Sequence, residues 1–489
     1  MMRTRCSFAV MLLLTAGAFA TLALAALGLM ATRADAAYQY IPTAAPTADT
    51  LRLSIEDAVT YARTHATQVQ NANAGIDVAE GRVREAVAYA LPNIKGSVEY
   101  RRQFESIYSQ TAADDTSGLS DLFSNSPFGS ANIWNAQITG SQVIWAGGRV
   151  GSGINAARAV SKSTHADRDQ ISDDVARAVR SSYYNAAYAG ELVSIAEAGL
   201  DAARQQLRQV EALNREGSRA EYDLIRAQVD AQNQEPVVLS ARNASILAQL
   251  ELRRRMNLPL DQPLRLTSRL AFPDSLFPVP DEPALDGHAR PSLARAEADV
   301  EARRQLLQFE KAQRWPELTL NSTLSQQAFP SYPMPNADDF QRNLDASLKL
   351  DFPLFLGGRT FGTVQRANAE LEQARIARDA ERQAVSLDVA RARQDVRRTL
   401  ATLVARRGTQ RLAVRAYQLA SVRYTNGLTT QFEVTNARVE AQRAAANEVE
   451  AVRDYVMALA DLEYAVGRPI RTSSRSLDEV GAWINAQGQ

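Results

Sequence analysis

The feature that most constrains the fold is an internal duplication with fixed spacing. Two Gly-Gly-Arg triplets mark it: Gly147, Gly148 and Arg149 in the first copy, and Gly357, Gly358 and Arg359, 210 residues later, in the second. A second landmark, around Gly217, returns at the same offset around Gly427. The segment between the landmarks therefore tolerates no net insertion, which predicts a rigid element of fixed length in each copy.

The segment between the landmarks is patterned as helix. In the second copy, apolar residues such as Val385, Val389, Val396 and Leu403 recur with a period near 3.5 residues. At ~1.5 Å per residue, an unbroken helix of this span is ~100 Å long, too long to be buried in a globular domain. We expect it to pack along a second helix, and the apolar stripe from Val449 to Val466 provides that partner.

Short alternating segments precede each long helix. They predict two β-hairpins, at about 93–145 and 317–356, each with one apolar and one polar face. Strands of about ten residues with this pattern are typical of transmembrane β-barrels. Trp134, Trp145 and Trp315 fall at strand ends, where interfacial aromatic girdles lie.

Four strands are too few to close a membrane barrel, because known barrels of this kind begin at about eight. An open edge in hydrocarbon leaves backbone groups unpaired, so we expect several chains to share one barrel. Two copies give eight strands with a filled interior, whereas three give twelve strands and a lumen. The pattern favours a homotrimer in contact with outer-membrane lipid.

The N-terminus is typical of a secretory signal peptide, residues 1–36. Arg3 and Arg5 precede an apolar run from Phe8 to Met30, and a small-residue cleavage site ends before Ala37. Cys6 precedes the apolar run, so it cannot be a lipidated mature N-terminus. The length of the run leaves an uncleaved membrane anchor as an alternative.

The remaining domain boundaries follow from the duplication and from proline content. We expect a first repeat at 37–257 with its helical tip near 217, and a Pro-rich connector at 258–291. A second repeat at 292–468 with its tip near 427 and a tail at 469–489 complete the chain.

Composition excludes several classes of function. Lys+Arg 55 and Asp+Glu 55 balance, which argues against nucleic acid as a partner. One cysteine excludes a disulfide framework, and the three histidines lie far apart. Without a nucleophile–base pair, a phosphate loop or a metal cluster, the chain is not expected to be an enzyme or to need a cofactor.

In order and spacing, these features resemble the TolC family of outer-membrane efflux proteins over nearly the whole mature chain. The Leu91-Pro92 and Trp315-Pro316 pairs resemble the family's hairpin entries, and the Gly427-Leu428-Thr429 turn its helical tip. The resemblance implies a mainly α fold with a membrane β-barrel, built from two tandem repeats of long helices plus a β-hairpin. It also implies a trimer that forms a 12-stranded barrel continuous with a periplasmic α-helical tunnel.

The same resemblance implies a function and partners. The chain is expected to be the outer-membrane exit duct of a tripartite efflux or type I secretion system in a Gram-negative bacterium. A periplasmic adaptor protein and an inner-membrane pump of the RND, ABC or MFS type open it, and drugs, metals, solutes or proteins are the possible cargo. The alternative is a periplasmic coiled-coil adaptor or scaffold anchored at the inner membrane, which explains the helices but not the duplicated strands.

The resemblance also assigns candidate site residues at the helical tips. Glu433 and Asn436 occupy the positions of the periplasmic constriction, where three carboxylates would form a cation-attracting ring. Glu433 equally fits a capping box that begins at Thr430. Both roles stay open.

The family closes this end through an acidic residue, a tyrosine and an arginine. Asp223 and Tyr424 match the first two, but Thr429 occupies the arginine position, so Arg226 or Arg219 is the candidate substitute. Adaptor docking is expected at Gly217, Gly427, Leu428 and Thr429. Arg149 and Arg359 are expected to anchor the strand-to-helix junctions and have no assigned transport role.

Overall fold

A computed structural model of the chain describes residues 50–104, 130–268, 270, 287–330 and 332–468. Its elements in chain order are β1 (Leu51–Leu53), α1 (Ile55–His65), α2 (Thr67–Ala88), β2 (Asn93–Arg102), β3 (Asn132–Trp145), α3 (Arg149–Arg215), α4 (Glu221–Met256), β4 (Leu264–Leu266), α5 (Pro291–Ala312), β5 (Glu317–Ala328), a 3₁₀ turn (Ala337–Asp339), β6 (Gln341–Asp351), α6 (Arg359–Thr425) and α7 (Gln431–Val466).

The duplication is visible in the element boundaries. The long helices α3 and α6 have 67 residues each, and the returning helices α4 and α7 have 36 each. Both pairs are offset by 210 residues, whereas α2 and α5, and the starts of β2 and β5, are offset by 224. The difference lies in the shorter turn of the second β-hairpin. Two repeats of hairpin and long helices are confirmed.

The four long strands form one antiparallel sheet in the order β2-β3-β5-β6. The two hairpins join through β3 and β5, where Ile138 lies opposite Leu324. In β5 and β6, Leu320 lies opposite Leu348, and Thr319 opposite Lys349. Because opposite residues of an antiparallel pair share a face, the sheet has one apolar and one polar face, as predicted.

Both edges of this sheet are open. Every residue of β2 and of β6 is exposed, whereas β3 and β5 are largely covered. The second hairpin ends earlier than predicted, at Asp351 and not near 356. Pro353 follows, and a proline cannot donate the backbone hydrogen bond that a continued strand would need.

The helical core lies along the seams between antiparallel helices. In α6 and α7, the predicted stripes meet: Val396, Leu400 and Leu403 are buried in one cluster with Val452, Tyr455 and Leu462. Each fully buried Leu or Val contributes about 1.5–3 kcal/mol. The helix α3 packs on α4 within its own repeat and on α5 and α7 of the other repeat. This cross-repeat packing joins the two halves of the chain.

Two local features depart from simple helix patterning. The helix α4 continues through Pro236, for which the second repeat has Ala446 at the equivalent position. The helix α5 begins at Pro291, the last residue of the predicted connector, because proline is favoured in the first turn of a helix.

Several predicted segments lie outside the described residues. They are the signal peptide, the tail 469–489 and half of the connector. Within the described part of the chain, no helix combines the length and apolar character that crossing a bilayer requires. The described residues from Arg52 onward belong to one compact unit.

Candidate functional site at the helical tips

Glycine turns form both tips of the long helical hairpins. Gly217 and Gly427 have φ of 71° and 73°, a conformation that side chains disfavour. After α6, the N–H of Leu428 donates to the carbonyl of Arg423 at 2.8 Å, which closes the helix end as a glycine cap does. Of the predicted docking residues, Leu428 is exposed and Thr429 is buried. Thr429 is therefore available to a partner only if the tip rearranges.

Glu433 contributes to the N-terminus of α7. Its N–H donates to Thr430 Oγ1 at 3.4 Å, and its carboxylate accepts a hydrogen bond from the Thr429 hydroxyl. The reciprocal half of a capping box is thus made to the Thr429 side chain and not to the Thr430 backbone. Glu433 and Asn436 are both exposed in the single chain, so the cap leaves the carboxylate accessible.

Tyr424 lies fully buried beneath the tip. The Arg219 guanidinium stacks over its ring at 4.5 Å and donates to its backbone carbonyl at 3.1 Å. Burial raises the pKa of the Tyr424 hydroxyl, Arg219 partly offsets that rise, and Asp223 adds to it. Among the described residues, the hydroxyl has no hydrogen-bond partner. Asp223, Tyr424 and Arg219 are therefore neighbours, but no hydrogen bond joins the tyrosine hydroxyl to the carboxylate.

Arg226 takes a different position. Its guanidinium lies 4.8 Å from the centre of the Phe432 ring, an exposed aromatic in the first turn of α7. Within the described residues, neither Arg226 nor Arg219 forms an ion pair with Asp223. The two candidate arginines instead stack on aromatic rings of the second hairpin, which ties the hairpins together by cation–π contacts.

A buried ion pair near the tip was missed by sequence reasoning. The Nη2 of Arg438 in α7 contacts both carboxylate oxygens of Asp230 in α4, at 2.7 and 2.9 Å. The Nη1 of Arg438 donates to Gln442 Oε1 at 2.7 Å. The side chain of Gln442 occupies the space beside Gly199 of α3, because a Cβ at Gly199 would lie only 1.3 Å from the Gln442 amide nitrogen. The pair bridges the two helical hairpins directly. The available signal was a charged residue on the buried stripe of α7, between Val434 and Ala441.

The strand-to-helix junctions carry the predicted Gly-Gly-Arg triplets, and all four glycines have positive φ. In the first copy, Arg149 forms an ion pair with Glu317 of β5, as expected of an anchor. A Cβ on Gly147 would approach the Trp315 side chain to 2.4 Å. In the second copy, Arg359 is exposed, so the junction is packed only at the first triplet of the single chain.

Comparisons with known proteins agree with this architecture. The family model "Outer membrane efflux protein" matches residues 59–258 and 288–468. No curated protein matches the chain by sequence.

Solved structures share the fold at low sequence identity. The outer membrane channel CmeC of Campylobacter jejuni superposes with a TM-score of 0.70 at 16% identity, over 88% of this chain and 89% of that chain. The open state of the MtrE channel of Neisseria gonorrhoeae gives 0.69 at 19% identity, over 85% and 89%. The outer membrane protein VceC of Vibrio cholerae gives 0.68 at 17% identity, over 85% and 97%.

These matches do not favour the alternative of a periplasmic adaptor. The family match extends through both repeats and covers most of the chain. The chain therefore belongs to the outer membrane efflux protein family, and it is an efflux channel of the Gram-negative outer membrane.

Proposed function

We propose that three copies of this chain form the channel, as a passive conduit that a periplasmic adaptor and an inner-membrane pump open at the helical tips. One observation carries the proposal: a four-stranded sheet with an apolar face has both edge strands, β2 and β6, exposed along their whole length. In hydrocarbon, each unpaired backbone group costs several kcal/mol, so these edges require partners.

The dimensions of the sheet fit a bilayer. Aromatic pairs lie at both of its ends: Tyr100 with Trp134 at 4.6 Å, and Trp145 with Trp315 at 6.3 Å. The strand from Trp134 to Trp145 is ~36 Å long at ~3.3 Å per residue. A tilt of ~40° reduces this to ~28 Å, close to the ~30 Å hydrocarbon thickness. The aromatic pairs then lie at the two interfaces.

The helices support the same assembly. The exposed sides of α4 and α6 carry large apolar side chains that a subunit interface would cover. They include Tyr222, Ile225, Val229, Leu239 and Ile246 on α4, and Ile376, Leu387, Leu412, Leu419 and Val422 on α6. Contact between α6 of one subunit and α4 of the next buries both sets. Three subunits give twelve strands and an open lumen, whereas two give a filled barrel.

The tips are the proposed gate and docking end. Leu428 at the exposed turn offers an apolar contact to an adaptor, and the accessible Glu433 carboxylates of three subunits form a cation-attracting ring beside Asn436. Arg219 on Tyr424 and Arg226 on Phe432 hold the two hairpin tips of each subunit together, and Asp223 lies beside this closure network. The pump, of the RND, ABC or MFS type, selects the cargo, so drug, metal, solute and protein export share this duct.

Reconstitution tests the proposal. The purified mature protein is expected to have the mass of three chains in detergent, to convert to monomer only on heating in SDS, and to form low-conductance channels in planar bilayers. A monomer that never inserts into bilayers overturns it.

A further inference from the structure

The duplication fixes more than the fold, because it also predicts how neighbouring copies meet. We propose that β6 of one subunit pairs with β2 of the next in a specific register, with Lys349 opposite Glu99 of the neighbouring subunit. The inference rests on the proposed trimer, and it adds the residue-level geometry of the subunit interface.

The two hairpins are equivalent at the level of single residues. In the first, Asn93 lies opposite Ser141, and in the second, Glu317 lies opposite Asp351. These pairs are related by the same offsets as the elements, 224 residues for β2 and β5 and 210 residues for β3 and β6. Each repeat therefore places its two strands in the same register.

The remaining strand pair joins the repeats. In β3 and β5, Thr139 lies opposite Thr323. In a closed ring of alternating repeats, the equivalent contact joins β6 to β2 of the next copy. Adding 210 to the first residue and subtracting 224 from the second gives Lys349 opposite Glu99 of the neighbouring subunit.

The same two offsets convert the neighbouring β3–β5 pairs into pairs between β6 and β2 of the next subunit. Gly140 opposite Ser322 becomes Leu350 opposite Val98 of the neighbouring subunit. The next residues along the same register are Leu348 opposite Tyr100 of that subunit. All four side chains are exposed in the single chain, and the register sets them against each other on the apolar face.

Charge agrees with this register on the polar face. In the single chain, Glu99 pairs with Arg101 at 2.8 Å, and Lys349 with Asp351 at 3.0 Å, each along its own exposed strand. The proposed register brings opposite charges face to face across the interface. A slip of two residues in one direction instead places Lys349 opposite Arg101 and Asp351 opposite Glu99, two like-charge pairs. The slip in the other direction places Lys349 opposite Ser97 and Asp351 opposite Lys95, so charge does not exclude it and the equivalence of the repeats decides between the two registers.

The junction next to the strands is consistent with the same equivalence. Trp145 packs edge-on against Trp315 within one chain, 6.3 Å apart. The equivalent positions across the interface are Phe355 and Leu91. Phe355 is 86% exposed and Leu91 is 58% exposed in the single chain, so both apolar side chains are free to meet across the proposed interface. The proposed register gives each of them an apolar partner on the neighbouring subunit.

Paired cysteines test the register in the full mature chain. The native Cys6 lies in the predicted signal peptide, so the mature protein has no competing thiol. Directly opposite residues have Cα atoms about 4.5–5.5 Å apart, within disulfide range, whereas residues displaced by two positions are about 7–8 Å apart. The test pairs are Lys349→Cys with Glu99→Cys, and Leu350→Cys with Val98→Cys. Lys349→Cys with Ser97→Cys, on the same face but two positions away, is the matched control.

Mild oxidation of outer membranes, followed by boiling in SDS without reductant, is the readout. Both test pairs are expected to give a covalent trimer that reductant dissolves, and the control pair is expected to remain largely monomeric. A covalent trimer from the control pair alone overturns the register. Failure of all three pairs in a protein that still elutes as a trimer overturns the β6–β2 contact but leaves the trimeric channel intact. A monomeric protein without channel activity overturns both.

Discussion

The ion pair between Arg438 and Asp230 gives the sharpest prediction about closure of the tips. We expect Asp230→Asn to favour separation of the two helical hairpins, because the pair is a direct link between α7 and α4. The side chain of Arg438 is 4% exposed and that of Asp230 is 16% exposed, so water replaces the lost carboxylate poorly. Removal of one partner from a buried pair costs about 3–5 kcal/mol.

That energy is large for a conformational equilibrium. Each 1.4 kcal/mol is a factor of about ten, so a cost of about 3 kcal/mol shifts the ratio of closed to open tips by roughly a hundredfold. Single-channel conductance in planar bilayers measures the open population. Asp230→Asn is expected to raise the mean conductance, and adding Arg438→Gln is expected to lower it again, because the buried unpaired charge is then removed.

Glu235→Gln is the matched control for this experiment. Glu235 lies on the same helix, α4, and also pairs with an arginine, Arg204 at 2.7 Å. That pair is about half exposed and lies within the first hairpin, so its loss is expected to leave conductance unchanged. If Asp230→Asn gives the same conductance as Glu235→Gln and wild type, the Arg438–Asp230 ion pair does not help to keep the tips closed.

Three further predictions follow from the tip and the junction. Tyr424→Phe is expected to leave conductance unchanged or lower and to raise the thermal stability of the trimer, since it removes a buried hydroxyl without a partner, a defect of about 1–3 kcal/mol; a rise in conductance would show that the hydroxyl takes part in closure. Glu433→Gln is expected to reduce cation selectivity, measured as a smaller reversal potential in a KCl gradient. Equal reversal potentials for the variant and the wild type would contradict a ring of Glu433 carboxylates. Gly147→Ala is expected to lower the melting temperature, because its Cβ meets Trp315 and its φ is 59°, whereas Gly148→Ala, with open space around it, is the milder control and equal losses would contradict the steric argument.

The large elements were predictable from the sequence because their signals are local or repeated. Equal spacing of the landmarks predicted α3 and α6, and period-two alternation predicted the four strands. The end of β6 at Asp351 depends on Pro353, whose effect on hydrogen bonding outweighs the apolar pattern that continues to Phe352.

The tip contacts were less predictable because they depend on how the hairpins cross. Sequence proximity suggested that Arg226 or Arg219 would meet Asp223, but both guanidinium groups stack on rings more than 200 positions away. The Arg438–Asp230 contact joins residues 208 positions apart. It also requires a glycine at position 199, because any side chain there would displace Gln442, which Arg438 contacts. Neither fact is visible until the helices are placed side by side.

The helices α3 and α6 have the same length, 67 residues each. Their two glycine turns therefore lie at the same distance from the strand-to-helix junctions. A deletion in one helix alone would stagger the two turns by ~1.5 Å per residue. Removal of seven residues from each long helix, together with seven from each returning helix, α4 and α7, would shorten the helical hairpins by ~10 Å and preserve their seams. Evolution can therefore change the reach of such a duct only by paired edits in both halves of the gene, matched by a partner that spans the remaining gap.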